Sequence, residues 1–310
     1  MTTFRPSTLE LKRTFPLNEK GRWTVAEFDP NPPFQEYAHP ERLVSAPWLS
    51  ARLGINGLHV IEVDEDSLLY DIGHIPTAIR INVQTELLDS ATRDIISAED
   101  FTELLRSKGI EREDTVVLYG DKSNWWAAFA LWIFELYGHE DVRLLDGGRD
   151  AWMSEERDTS FMVPDSTTSS YPEVSREESS RIFVDELRSS TATVVDTRSP
   201  DEFCGEAALK NGTGESAYGT TLTHGHIPGA INLEWDRAVY PNGCFRALSE
   251  LKVSYGELEP DTETVLYSHV GAQAAHTWFV LKYLLGFKAA RVYDGSWAEW
   301  GNMVRMPVER

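Results

Sequence analysis

Residues 115–152 of this chain return, in the same order, at residues 264–300. Thr115-Val116-Val117-Leu118-Tyr119 aligns with Thr262-Glu263-Thr264-Val265-Leu266-Tyr267 at its apolar end. Asp146-Gly147 and Trp152 align with Asp294-Gly295 and Trp300, both at an offset of 148 (294 minus 146, 300 minus 152). An earlier block, Gly73-His74-Ile75-Pro76-x-Ala78-Ile79, matches Gly225-His226-Ile227-Pro228-Gly229-Ala230-Ile231 at an offset of 152. A unit of this span is too long for a solenoid repeat of about 20 to 50 residues and suits a whole domain, so the 310-residue chain is read as a duplicated domain.

Within each half, short β-rich runs alternate with helical patterns, which predicts an α/β fold of two tandem domains, each a parallel sheet flanked by helices. Strands are expected at 60–63, 78–81, 116–119 and 142–145, and again at 193–195, 230–233, 265–267 and 291–293. Ser97 caps a helix closed by Gly109, and the apolar helices Trp125 to Tyr137 and Ala272 to Leu285 end at Gly138 and Gly286. The expected organisation is an N-terminal extension over 1–42, a first domain over 43–154, a Ser/Thr/Glu/Pro-rich surface linker over 155–182 and a second domain over 183–310. One difference separates the halves. Thirty positions divide Asp196 from His226 against ten between Asp64 and His74, and the extra residues, with Asn211-Gly212-Thr213-Gly214 and Tyr218-Gly219, read as a flexible surface loop.

Composition excludes several classes. Apolar residues at 41% suffice for a core in each half, while a formal charge of −21 argues against nucleic acid or an anionic membrane, whose binding needs clustered Lys and Arg. Two cysteines, Cys204 and Cys244, make no disulfide framework, and no stretch reaches about 18 uncharged apolar residues, so a cytoplasmic location is expected. No cofactor or metal is expected either, because His224 with His226 alone is not a zinc site. His74, His226 and the tryptophans Trp125, Trp126, Trp132, Trp278 and Trp297 read as packing residues.

Chemistry concentrates at Tyr267-Ser268-His269-Val270-Gly271-Ala272-Gln273, where a buried strand turns directly into a helix. Successive amides and the helix N-terminus favour an anion or thiolate there. Asp196 and Arg198, at the preceding strand end, read as a buried ion pair.

Asp196-Thr197-Arg198-Ser199-Pro200-Asp201-Glu202-Phe203, the Gly225 to Ala230 block, His276-Thr277-Trp278-Phe279-Val280-Leu281 and Tyr293-Asp294-Gly295-Ser296-Trp297 together resemble the tandem-domain rhodanese family of thiosulfate and 3-mercaptopyruvate sulfurtransferases. The first half, with Tyr119-Gly120-Asp121-Lys122-Ser123-Asn124-Trp125-Trp126, resembles the non-catalytic domain of the thiosulfate-type actinobacterial members. The resemblance implies a second-domain loop of the form Cys-Arg-x-Gly-x-Arg, whose cysteine carries sulfur as a persulfide, with a basic residue at the position of Arg246 on the pocket rim. This chain departs at three of those four positions: Ser268, His269 and Gln273 stand there, and Gly271 remains. A serine oxygen has neither the low pKa nor a stable O–S counterpart of the intermediate.

The loop is therefore expected to bind a small sulfur-containing or other anion over residues 268–273, with Arg246, Arg198 and Asp196 nearby, and to leave room for a protein partner in a regulatory, non-turnover role. The alternatives are a working sulfurtransferase that uses another thiol and, more remotely, hydrolysis at Ser268, which would need His269 or His276 as base and an orienting carboxylate.

Overall fold

The computed structural model describes residues 26–65, 67–165, 167–206 and 221–310; residues 1–25 of the extension and the inserted loop with Asn211 to Gly219 lie outside them. Among the described residues two parallel sheets form. The first runs β1 (Leu43–Val44), β5 (Val142–Leu145), β4 (Thr115–Tyr119), β2 (Leu58–Asp64), β3 (Ile79–Asn82) in spatial order. The second runs β7 (Ile231–Asn232), β6 (Thr193–Asp196), β8 (Thr264–Tyr267), β9 (Ala290–Val292). The central strands β4 and β8 are buried along their whole length, as parallel strands covered on both faces must be, and this is why they read as unbroken apolar runs.

Helix α1 (Ala98–Ser107) starts where the Ser97 hydroxyl accepts the Asp100 N–H at 3.1 Å. Helix α2 (Trp125–Leu136) is apolar on every side and buries all but Trp125 and Glu135. It can do so because it packs against α4 (Ala272–Phe279) of the other half, and the two share one apolar core in which Trp126, Phe129 and Trp132 join Trp278 and Phe279. The shorter helices α3 (Gly148–Ser154) and α5 (Ser296–Trp300) follow β5 and β9.

The repeated Gly-His-Ile-Pro block has a structural reason. The Ile75 N–H donates to the Tyr119 hydroxyl and the Ile227 N–H to the Tyr267 hydroxyl, both at 3.1 Å, so each central strand ties down the segment ahead of β3 or β7. His74 and His226 stack on Tyr70 and Phe203 and bond backbone carbonyls of the same residues through Nδ1, in keeping with a packing role.

Three features depart from the sequence reading. Strand β1 pairs with β5, yet two residues are too few to show a period. Helix α4 gives way to a π turn over Val280–Leu284 in place of a regular helix to Leu285, and the extension explains why: Ala38 and His39 donate their amides to the Leu284 and Tyr283 carbonyls. The 155–182 segment is pinned as it crosses the surface, by an antiparallel bridge of Ser160 to His74 and by buried Tyr171.

Each half also lends a hairpin to the other. In the first, Leu88 pairs with Ile95; in the second, Val239 pairs with Phe245. The second hairpin leans on the end of β5, where the Phe245 N–H donates to Asp146 at 2.9 Å. The first faces the end of β9.

Candidate functional site

Ser268 and His269 leave β8, and Gly271 caps α4 with φ 95°, a left-handed value that favours glycine. Space enforces the same choice, since a Cβ on Gly271 would stand 3.1 Å from the Asp294 Cα. The turn brings the Ser268 hydroxyl back onto its own loop, where it accepts the Gly271 N–H at 2.9 Å. Ser268 is 0% exposed. Its backbone N–H donates to Ser296 Oγ at 3.1 Å, and the Ser296 O–H in turn donates to the Tyr293 carbonyl at 2.8 Å. The Trp297 and Ala298 amides then hold the Ser268 and His269 carbonyls, so α5 braces the loop from behind.

Electrostatically, the loop sits at the N-terminus of α4, whose amides and dipole favour negative charge. The side chains add little to that field. Gln273 is 8% exposed and its Oε1 has no hydrogen-bond partner. His276 lies one turn further on, stacked on Phe245 and edge-on to Trp235, and burial pushes its pKa down to about 3, so the ring is neutral at pH 7.

The first half solves the same turn differently. Gly120 occupies the place of Ser268 after the strand, and its N–H donates to Asn124 Oδ1 at 2.9 Å. Asn124 in turn donates to the Leu145 carbonyl at 2.7 Å. Its side chain fills the turn: a Cβ on Gly148, the counterpart of Ser296, would meet Asn124 Oδ1 at 2.2 Å.

The remaining residues singled out from sequence are committed elsewhere. Arg198 Nη2 bonds Asp196 at 2.6 Å and the Gly225 carbonyl at 2.8 Å, and its guanidinium lies 4.5 Å over Trp297. Asp196 and Arg198 are thus a buried pair at the end of β6, with Nε and Nη2 of the guanidinium given to Asp196 and the Gly225 carbonyl. Arg246, just after the hairpin, turns to Glu250 of the helix Leu248–Ser254 at 3.4 Å and over the Tyr240 ring at 5.0 Å. Neither cysteine belongs to the loop. Cys244 rests against Asp146 in the first half, where burial and then the Asp146 charge push the thiol up to about 12, and Cys204 caps the short exposed helix Pro200–Phe203.

Val270 is the loop residue that reaches an opening, a cleft of about 530 Å³ between the halves. The first hairpin supplies one wall with Asp89, Arg93 and Asp94, α2 supplies Trp126 and Phe129, and Tyr293, Asp294 and Glu299 close the other side. Arg181 joins the walls: Nη2 bonds Asp94 at 2.6 Å and Asp294 at 2.7 Å, and Nε bonds Asp294 at 2.9 Å. Burial opposes the Arg181 charge, but the two carboxylates outweigh it and raise its pKa. Sequence reasoning missed Arg181 because it sits in the segment read as linker; the repeated Asp146 and Asp294 were the available signal. No group of three or more His, Cys, Asp or Glu among the described residues could hold a metal ion, and none of their helices is long and apolar enough to cross a membrane.

A model of the rhodanese-like domain matches residues 45–155 and 181–303. Thiosulfate sulfurtransferase of Corynebacterium glutamicum is 61% identical over 92% of this chain and 96% of its own length. Putative thiosulfate sulfurtransferase SseA of Mycobacterium tuberculosis is 50% identical over 90% and 94%. Sulfur carrier protein TtuD of Thermus thermophilus is 44% identical over 88% and 98%. Among solved structures, YnjE superposes with a TM-score of 0.76 at 26% identity, covering 88% of this chain and 70% of that one.

Proposed function

The chain belongs to the rhodanese family as a pair of tandem rhodanese-like domains, and from that premise we propose that it is a sulfurtransferase-type scaffold without persulfide turnover, which binds a small sulfur-containing molecule and acts by binding or regulation. One observation carries the reading: the residue at the nucleophile position is a buried serine whose oxygen is engaged by the Gly271 amide. Sulfane transfer needs a thiolate to take the sulfur and a thiol of suitable pKa to release it. An alcohol offers neither.

The rival, turnover through another thiol, draws no support from Cys244, which is paired with Asp146 and held protonated, or from Cys204, which lies on a separate helix. Hydrolysis at Ser268 is weaker still. Its hydroxyl accepts a hydrogen bond from the Gly271 N–H, and His276, whose pKa burial lowers to about 3, is too weak a base to activate it.

Cyanolysis with thiosulfate and with 3-mercaptopyruvate tests the reading. Turnover is expected below about a hundredth of that of the Corynebacterium glutamicum relative, since loss of a covalent nucleophile costs several powers of ten. A rate above that level, or a gain of about 32 Da on this chain that an acceptor thiol then discharges, would overturn it.

A further inference from the structure

We infer that residues 9–17 of the N-terminal extension dock, within the same chain, on an exposed apolar patch of the first half formed by Ile72, Phe161, Met162 and Val163. The inference stands apart from the chemistry of the 268–273 loop.

The patch is continuous, and the fold does not require it. Ile72 is 57% exposed, and Phe161, Met162 and Val163 are 73%, 80% and 68% exposed. The two stretches run side by side, because Ser160 bridges His74 in the antiparallel sense and a Cβ on Gly73 would stand 3.9 Å from Phe161 Cε1. The second half builds the same bridge between His226 and Glu309, yet His224 takes the place of Ile72 (224 minus 152) and Arg310, next after the bridging residue, takes that of Phe161. There Arg310 Nε donates to the His224 carbonyl at 3.3 Å. One copy of the duplicated surface is polar and the other apolar. A contiguous row of large apolar side chains facing water marks a contact surface.

Charge, pattern and place identify the occupant. Residues 1–25 carry five Lys or Arg against two Glu, a balance of +3, so the rest of the chain carries −24 (−21 less 3). Exposed Asp71, Asp158 and Asp165 flank the patch, and a basic segment is drawn to that part of an acidic body. Leu9, Leu11, Phe15 and Leu17 all fall on odd positions, with Glu10, Lys12 and Thr14 between them. A stretch patterned in this way offers one apolar edge to an exposed row such as Phe161 to Val163. Ala26, where the described part of the extension starts, packs on the cluster of Trp48 and Trp152, and the Trp152 indole N–H donates to the Asp158 carbonyl at 3.0 Å. Residues 18–25 reach up to about 29 Å at about 3.6 Å each, against about 10 Å for the breadth of α3, which carries Trp152. The described part of the extension is already held in this manner: Phe34 and Tyr37 are buried, and the Tyr37 hydroxyl donates to the Arg246 carbonyl at 2.8 Å.

Limited trypsin digestion of the full chain tests the docking, since Arg13 lies within the segment. Cleavage after Arg13 is expected to be at least about fivefold faster in Phe161→Ser/Met162→Ser and in Leu11→Ser/Phe15→Ser than in the native chain, because cleavage tracks the undocked population. The native rate should not depend on protein concentration. Hydrogen exchange reads the other face of the contact: the amides of residues 161–163 should exchange at least about threefold faster in Leu11→Ser/Phe15→Ser. Equal cleavage rates in the native and variant chains overturn the docking. Protection that grows with protein concentration also overturns it, by assigning the segment to a second copy, and so does exchange at 161–163 that is unmoved by Leu11→Ser/Phe15→Ser.

Discussion

The Ser296 hydroxyl accepts the backbone N–H of Ser268 across 3.1 Å, and it does so from a backbone φ of 55° that its counterpart Gly148 adopts without strain. A buried serine kept at a left-handed φ in one copy, where the other has glycine, marks the second loop as the one that still needs bracing from α5. The consequences of that bracing can be measured.

Ser296→Ala removes the acceptor for a buried amide and keeps the unfavourable backbone, so it should destabilise by about 1–3 kcal/mol. Ser296→Gly loses the same bond but relieves roughly 1 kcal/mol of backbone strain. Urea denaturation should therefore rank alanine as the worse change; equal or reversed effects would contradict the bracing role.

Gly271→Ala combines a φ of 95° with a Cβ only 3.1 Å from the Asp294 Cα. A loss of at least about 2 kcal/mol in chemical denaturation is expected. A neutral substitution would mean that the loop has room that the structure does not give it.

Restoring the sulfur nucleophile tests whether the cradle is intact. Ser268→Cys alone should recover weak cyanolysis, because His269 and Gln273 supply no fixed charge for the donor or the thiolate. Adding His269→Arg and Gln273→Arg should raise it further by about ten- to a hundredfold, as charge-assisted bonds contribute about 1.5–3 kcal/mol each. A triple variant no better than the native chain would count against a surviving pocket.

His276 makes stability acid-sensitive with a defined sign. Its folded pKa is depressed to about 3 by burial, so the unfolded chain takes up a proton first as pH falls below about 6.5, and folding stability is lost between there and about 3. Its share approaches 1.4 kcal/mol per pH unit in mid-window. Replacing it in His276→Phe should flatten the measured slope between pH 6 and 4 by a comparable amount; an unchanged slope would place the proton elsewhere.

Thiol chemistry should report on Cys204 alone. It is exposed, whereas Cys244 is held protonated against Asp146. An aromatic disulfide reagent at neutral pH should label one thiol quickly, and Cys204→Ser should abolish that phase. Rapid labelling of Cys244 would reopen the question of a substitute nucleophile.

Much of the fold is legible in the sequence. Duplication, the parallel sheets and the strand-to-helix turn at 268–273 followed from local pattern and from residues adjacent in the chain. What escaped was set by contacts distant in sequence. The Asp94–Arg181–Asp294 link joins a hairpin, a connecting segment and a strand end, none of which carries a local signature. Arg246 stands where the family resemblance implies a rim cation, but Glu250 on the helix that follows claims it. Strand β1 is too short to show alternation, and the π turn after α4 depends on amides from Ala38 and His39, more than two hundred residues upstream.

The exchange of hairpins has a consequence for how this chain can change. Residues 239–245 reach into the first half and 88–95 stand over the second, so a substitution at either strand end is felt by a partner encoded in the other copy. Removing either copy would therefore take away a hairpin that covers a strand end of the other and one wall of the cleft between them.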